Sequence, residues 1–173
     1  MSVEIQKRSP LRLVLSICIV LVLVATCWIG ATLAFSGGMM FAGNRPTTIG
    51  VQAGKLAPCP GTPNCVSSQS QEATHKIEPL TYKSTPQEAI ADLKKVIQSL
   101  PKTKIITETE NYLYAEFTSK LMGFVDDVEF LIDDNAKVIH VRSASRLGKS
   151  DLGVNRQRIE TLRAKLNELN SKA

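Results

Sequence analysis

The sequence predicts an α+β domain, a four-stranded antiparallel meander flanked by two helices, carried behind one N-terminal transmembrane helix. Three observations predict it. The chain has 173 residues and a formal net charge of +5, yet no charged side chain occurs in the 32 positions from 13 to 44. Apolar residues recur at helical spacing after Thr85 and again from Ile159. Between these two stretches lie four short extended runs separated by turn residues.

The first element is the stretch from Leu13 to Phe35, 23 residues of almost unbroken apolar sequence. A helix of about 20 such residues crosses a bilayer core. Lys7, Arg8 and Arg12 precede the run, and only Arg45 and Lys55 follow it closely. The bias of Lys and Arg toward the cytoplasm then predicts N-terminus in and domain out, in a periplasm or an organelle lumen. Three processings compete. A cleaved signal has a shorter apolar core and an A-x-A-like site, which Thr32-Leu33-Ala34 only approaches. A lipoprotein reading uses Cys27, but Thr26 fits it poorly. The uncleaved anchor is the reading adopted, giving a cytoplasmic basic segment 1–12, an anchor 13–35, a flexible linker 36–57 and a single domain 58–173. The linker is predicted from its five glycines and one proline without a sustained period, with Met39, Met40 and Phe41 near the membrane interface.

Removing the first 35 residues leaves 138, enough for one core and too few for two. That excludes a large multidomain enzyme. Downstream charge is 18 basic against 15 acidic side chains, a net +3, which gives no reason to expect a nucleic-acid partner. The charge is uneven: Glu108 to Asp134 holds eight acids against Lys120, and Arg142 to Lys165 holds seven bases against Asp151 and Glu160. Mutual neutralisation across neighbouring elements is the simplest use of that asymmetry.

Cys18 and Cys27 lie inside the apolar run, where a small polarizable side chain is ordinary. Cys59 and Cys65 bracket a loop with two prolines and a glycine. In an oxidising compartment a structural disulfide is the first reading. Redox catalysis generally uses a tighter C-x-x-C, and zinc a ligand spacing of two to four. A metal site would have to gather Cys59, Cys65 and the two histidines, His75 and His140, from far apart in the chain.

Thr85-Pro86-Gln87-Glu88 is a helix start, with Thr85 as cap, Pro86 in the first turn and Glu88 completing a capping box. Ala89, Ile90, Leu93, Ile97 and Leu100 follow at helical spacing until Pro101. Extended runs are predicted over Ile105–Thr109, Tyr112–Thr118, Phe124–Asp133 and Val138–Ser145. Glu110-Asn111, Gly123 and Asp134-Asn135 break them, so the runs fold as a meander. Ile159, Leu162, Leu166 and Leu169 define the last helix. Both helices are expected on one face of the sheet.

Alternation places Leu113, Ala115 and Phe117 on one face, with Val128, Phe130, Ile132, Ile139 and Val141 in the same role on later strands. A tight turn near Asn135 sets Asp127 or Glu129 opposite Arg142 on the other face. Asp126 breaks the pattern, since alternation puts it with Phe124 and Val128. Either a bulge rotates it outward, or it is a partly buried carboxylate paired with an arginine.

The stretches LAPCPGTPNCVSS (Leu56–Ser68), AEFTSKLMGFVDDVEFLID (Ala115–Asp133) and VIHVRSASRLGKSDLGVNRQRIE (Val138–Glu160) closely resemble the family of domain of unknown function 1499. The resemblance runs from Leu56 to about Leu166. It implies one small domain, often behind an N-terminal signal or anchor, and carries no catalytic residue with it.

Between the fourth strand and the final helix lie Arg142, Ser143, Ser145, Arg146, Lys149, Ser150, Asp151, Asn155, Arg156 and Arg158. Arginines and hydroxyls beside a helix N-terminus can hold a carboxylate, a phosphate or an acidic loop. The candidate ligand-binding set is Arg142, Ser143, Ser145, Arg146, Ser150, Asp151, Asn155 and Arg156. The competing use is structural: Ser150, Asp151 or Asn155 caps the helix while the arginines pair with Asp126, Asp127 and Glu129. No nucleophile elbow, metalloprotease motif, phosphate loop or dinucleotide fingerprint occurs, and the sequence points to no cofactor. A hydrolase can be drawn from Ser67 or Ser68 with His75 or His140, and a thiol-redox enzyme from Cys59 and Cys65. The sequence favours a membrane-anchored, non-enzymatic module that binds an acidic partner or small anion and serves the assembly or maintenance of a membrane complex.

Overall fold

The computed structural model describes residues 10–35 and 41–172. Most of the basic N-terminal segment and linker positions 36–40, Met39 and Met40 included, lie outside the described residues. The chain divides into two compact units, 1–37 and 38–173.

The first unit holds helix α1(Pro10–Phe35), 26 residues long. Leu15, Ile19, Leu23, Trp28 and their apolar neighbours are more than half exposed, so the described side chains of this unit form no interior. Described side chains run unbroken in α1 over 14–30. Among the described residues no helix is long and apolar enough to cross a membrane.

The second unit contains β1(Val51–Gln52), β2(Lys55–Leu56), β3(Cys65–Ser67), β4(Leu80–Thr81), α2(Pro86–Gln98), β5(Thr103–Glu108), β6(Tyr112–Thr118), β7(Val125–Asp133), β8(Val138–Ser145) and α3(Val154–Lys172). It is an α+β fold whose named strands all pair antiparallel. The main sheet has six strands where the sequence predicts four: its order is β3-β8-β7-β6-β5, and β4 also pairs with β8. Strands of two and three residues are too short to show a period, which is why β3 and β4 leave no signal in the sequence.

α2 begins with the predicted capping box, Thr85 accepting from the Glu88 amide while the Glu88 carboxylate accepts from the Thr85 amide. Its Leu93 and Ile97 pack with Ile159, Leu162 and Leu166 of α3 on one face of the sheet. That face supplies Leu113, Ala115 and Phe117 from β6, Val128, Phe130 and Ile132 from β7, and Ile139 and Val141 from β8. This is the main core.

The other face is covered too. The sequence predicts a flexible linker over 36–57, but its described part is a strap laid on the sheet. Phe41 stacks on Phe124 with ring centroids 5.1 Å apart, and Leu56 packs with Tyr112, Tyr114 and Leu131. β1 and β2 form a hairpin whose turn residues, Ala53 and Gly54, have φ of 50° and 76°. Such a two-residue turn needs positive φ at both positions. Glycines read in sequence as flexibility serve here to let the strap reverse.

Candidate functional site

Covering both faces buries eight of the nine residues of β7. Three of them are acidic, and their compensation builds the most chemically unusual region of the protein. The register sets Glu129 opposite Arg142 and Tyr114, and Asp127 opposite Glu116. All of these side chains point to the strap face.

Arg142 Nη1 donates to Glu129 Oε2 at 3.2 Å, while Glu129 Oε1 accepts from the Tyr112 hydroxyl at 2.9 Å and the Gly50 amide at 2.7 Å. Asp127 receives the Tyr114 hydroxyl at 2.6 Å and Arg146 through Nε (3.0 Å to Oδ2) and Nη2 (2.7 Å to Oδ1). Arg146 also reaches Glu116, which Arg45 of the strap contacts at 2.6 Å. Three carboxylates therefore meet three guanidiniums, and the cluster is neutral. Arg142 Nε is buried without a hydrogen-bond partner.

The electrostatics follow from burial and pairing. Burial pushes the Glu116 carboxyl up, but hydrogen bonds from Arg45 and Arg146 outweigh it and hold the group below its ordinary value. The bond to Asp127 raises Arg146 despite burial. Burial, then the Glu129 charge, pushes the Tyr112 phenol well above its usual range; burial and the bond to Asp127 do the same to Tyr114.

A second network sits on the helix face. Asp151 caps α3, its carboxylate accepting from the Gly153 and Asn155 amides at 3.0 and 2.8 Å. Burial works against that carboxylate's charge, and the donated N–H groups still hold its pKa below the ordinary value. Asn155, fully buried, accepts from the Ser143 hydroxyl and from Arg158 Nη1, both at 2.6 Å, and donates to the Asn64 carbonyl at 3.0 Å and Ser145 Oγ at 2.9 Å. Arg158 also pairs with Asp126 and lies over the Phe117 ring, 5.0 Å from its centroid. Of the two alternatives for Asp126, the structure takes the buried carboxylate paired with an arginine.

Strand alternation thus separates the eight candidate residues. Arg142 and Arg146 face the strap; Ser143 and Ser145 face α3, where they join the network of Asp151 and Asn155 at that helix's start. Ser150 and Arg156 lie outside both networks, Arg156 donating to the Thr74 carbonyl at 3.2 Å and Ser150 Oγ accepting the Leu152 amide at 3.5 Å. The sequence-stretch reading misses Arg45, Glu116, Tyr112, Tyr114 and Asn64 as members. Their sequence signal was partial: alternation places Glu116 beside Asp127, but nothing local ties Arg45 to either.

The other candidates resolve individually. Cys59 and Cys65 form a disulfide. His75 Nδ1 lies 2.9 Å from the Cys65 carbonyl, and the ring is buried. Ser68 Oγ is 3.2 Å from His140 Nδ1, and His140 Nε2 is 3.7 Å from Asp133, too far for a hydrogen bond. The same hydroxyl accepts the Val141 amide at 2.9 Å. Among the described residues no group of three or more His, Cys, Asp or Glu side chains is placed to hold a metal ion.

No curated protein matches the chain. The family described as protein of unknown function (DUF1499) matches residues 55–166, which takes in β2 through most of α3 and every member of both networks except Arg45 and Gly50. The chain belongs to that family.

Proposed function

We propose that the chain is a single-pass, membrane-anchored, non-enzymatic module whose domain lies on the non-cytoplasmic face and recognises an anionic partner by its surface, in the assembly or maintenance of a membrane complex. The observation that carries the non-enzymatic reading is the consumption of the buried polar groups. Arg142, Arg146, Arg158, Ser143 and Asn155 are already held by internal acids, amides and hydroxyls. What remains for an anion is the rim: Lys149 and Ser150, exposed, with Arg156 at the start of α3.

Two features support the membrane part. The segment 13–35 is uncharged over 23 residues behind three basic side chains, and the described apolar side chains of α1 are exposed. The basic flank supports the orientation, and the Cys59–Cys65 bridge suits an oxidising compartment. Affinity purification from detergent-solubilised membranes tests the binding. A partner recovered with the native chain and lost with Lys149→Glu/Arg156→Glu supports the rim, whereas unchanged recovery removes it. Retention of the chain in the membrane pellet after alkaline extraction tests the anchor.

The 3.2 Å approach of Ser68 to His140 favours one rival, a serine hydrolase. A fluorophosphonate probe that labels the native chain but not Ser68→Ala would replace the binding reading with that one.

A further inference from the structure

The domain's exposed apolar side chains are gathered at one end. Among its described residues six large ones are exposed: Val51, Leu121, Met122, Leu147, Leu152 and Val154. All but Val51 belong to two neighbouring segments. Thr118 pairs with Val125, Asp126 pairs with Ser145, and the Arg146 amide donates to the Val125 carbonyl at 3.2 Å. The loop from β6 to β7 and the loop from β8 to α3 therefore leave the sheet at the same end. Leu121 is 93% and Leu152 96% exposed. Leu152 also has φ of 53°, a conformation that disfavours a branched side chain, so an apolar group is displayed there against local backbone preference.

The exposed charged side chains at this end are all basic. Lys102, Lys120 and Lys149 are exposed there, the Lys102 ammonium donating to the Lys120 carbonyl at 3.0 Å. The segments 99–102, 119–124 and 146–153 contain one acid, Asp151, and its oxygens cap α3. The opposite end, at the turns after β5 and β7, carries Glu108, Glu110, Asp133 and Asp134 against Lys137, which pairs with Asp134 at 2.6 Å.

The domain's first described residues are also here. Phe41 stacks on Phe124, and Gly43 passes so close to the segment just after β8 that an added Cβ would stand 3.0 Å from Arg146 Cβ and from Leu147 Cγ. In the sequence, residues 36–40 alone separate Phe41 from the last residue of α1. A connection of that length reaches about 20 Å when fully extended.

We propose that this end of the domain, with Leu121, Met122 and Leu152 at its tips and Lys102, Lys120 and Lys149 around them, docks on the anionic headgroups of the membrane that holds α1. Apolar tips entering the interfacial layer within a ring of lysines is a surface-binding arrangement. The inference rests on the anchor reading above and names the partner of the basic rim.

The test uses the full chain carrying Cys18→Ala and Cys27→Ala, reconstituted in vesicles of phosphatidylcholine and phosphatidylglycerol. A polarity-sensitive fluorophore is placed at Leu121→Cys, at Leu152→Cys or, on the opposite end, at Lys83→Cys. Trp28, the chain's one tryptophan, reports α1 separately. Nitroxide lipids should quench the labels at 121 and 152 several-fold more than the label at 83. Lys102→Glu/Lys120→Glu/Lys149→Glu should at least halve that quenching while leaving Trp28 quenched. If Trp28 is quenched but all three labels respond alike, docking is wrong and the anchor stands. Label shifts that track protein concentration rather than lipid would assign this end to a second copy of the chain instead. An unquenched Trp28 overturns both readings.

Discussion

Glu129 and Arg142 face each other across β7 and β8, 0% and 5% exposed, with 3.2 Å between Oε2 and Nη1. Each is the other's charge partner in an interior that would otherwise expel both. Removing one member of such a pair costs roughly 3–5 kcal/mol, while replacing both by apolar groups is far milder. Glu129→Leu and Arg142→Leu should each lower unfolding stability by about that much, and the double variant should recover at least half of it. Chemical denaturation of the four proteins measures the coupling; additive losses would show that the pair does not act as a unit.

The chain's three tyrosines are Tyr82, Tyr112 and Tyr114. Burial and the bond to Asp134 push Tyr82 up to about 12, and the other two go higher. A phenol whose folded pKa is raised contributes stability that is complete below its unfolded value near 10 and is lost as pH rises past it. Titration followed at 295 nm should show little tyrosinate at pH 10.5 while the domain is folded, and the signal should appear together with the loss of circular dichroism. A simple titration centred near 10 would contradict the buried phenols.

Glu116 works at the acid limb. Its folded pKa is depressed, so its contribution is present above the ordinary value of 4.5 and is lost as pH falls through the lower folded value. Arg45→Ala removes one of the two guanidiniums that depress it. The difference in melting temperature between the native chain and Arg45→Ala should therefore be larger at pH 7 than at pH 3. A constant gap would mean that Arg45 acts through packing on Tyr114, whose ring centroid lies 5.6 Å from its guanidinium carbon.

The Cys59–Cys65 bridge spans a sequence separation of 6. Closing so short a loop in the unfolded chain is worth about 2–3 kcal/mol in the chain-entropy account. Cys59→Ser/Cys65→Ser should lose that much stability with the fold retained. Unchanged stability, with a phenotype nonetheless, would point to thiol chemistry.

Asn155 joins the chain before β3, the end of β8, the capping loop and Arg158 through one side chain. Replacing it leaves buried donors and acceptors without partners, each at a cost of about 1–3 kcal/mol. Asn155→Ala should cost at least 2 kcal/mol by this reasoning. Asp151→Ala, which removes the cap and the acceptor of one Asn155 Nδ2 hydrogen bond, should cost about 1–2 kcal/mol, less than Asn155→Ala.

Legibility in the sequence followed the range of the interactions. The capping box at Thr85, the last helix and the placing of an acid opposite Arg142 depend on neighbours within a few residues or across one tight turn, and all could be read. β3 and β4 could not, because two or three residues carry no periodicity. Arg45 and Glu116 are 71 positions apart and meet only because the strap folds back. The stretch from Arg142 to Arg158 looked like one basic pocket because adjacency along a strand resembles adjacency in space. The pleat sends Arg142 and Ser143 to opposite networks instead.

The strap also sets where the domain begins. The family match starts at residue 55, but Glu116 and Glu129 take donors from Arg45 and from the Gly50 amide, and Phe41 closes over Phe124. A fragment excised at the match boundary would leave the buried Glu129 and the part-buried Glu116 each short of a hydrogen-bond donor, and should be less stable for reasons unrelated to its sequence beyond that point. The stretch that completes these contacts starts no later than Phe41.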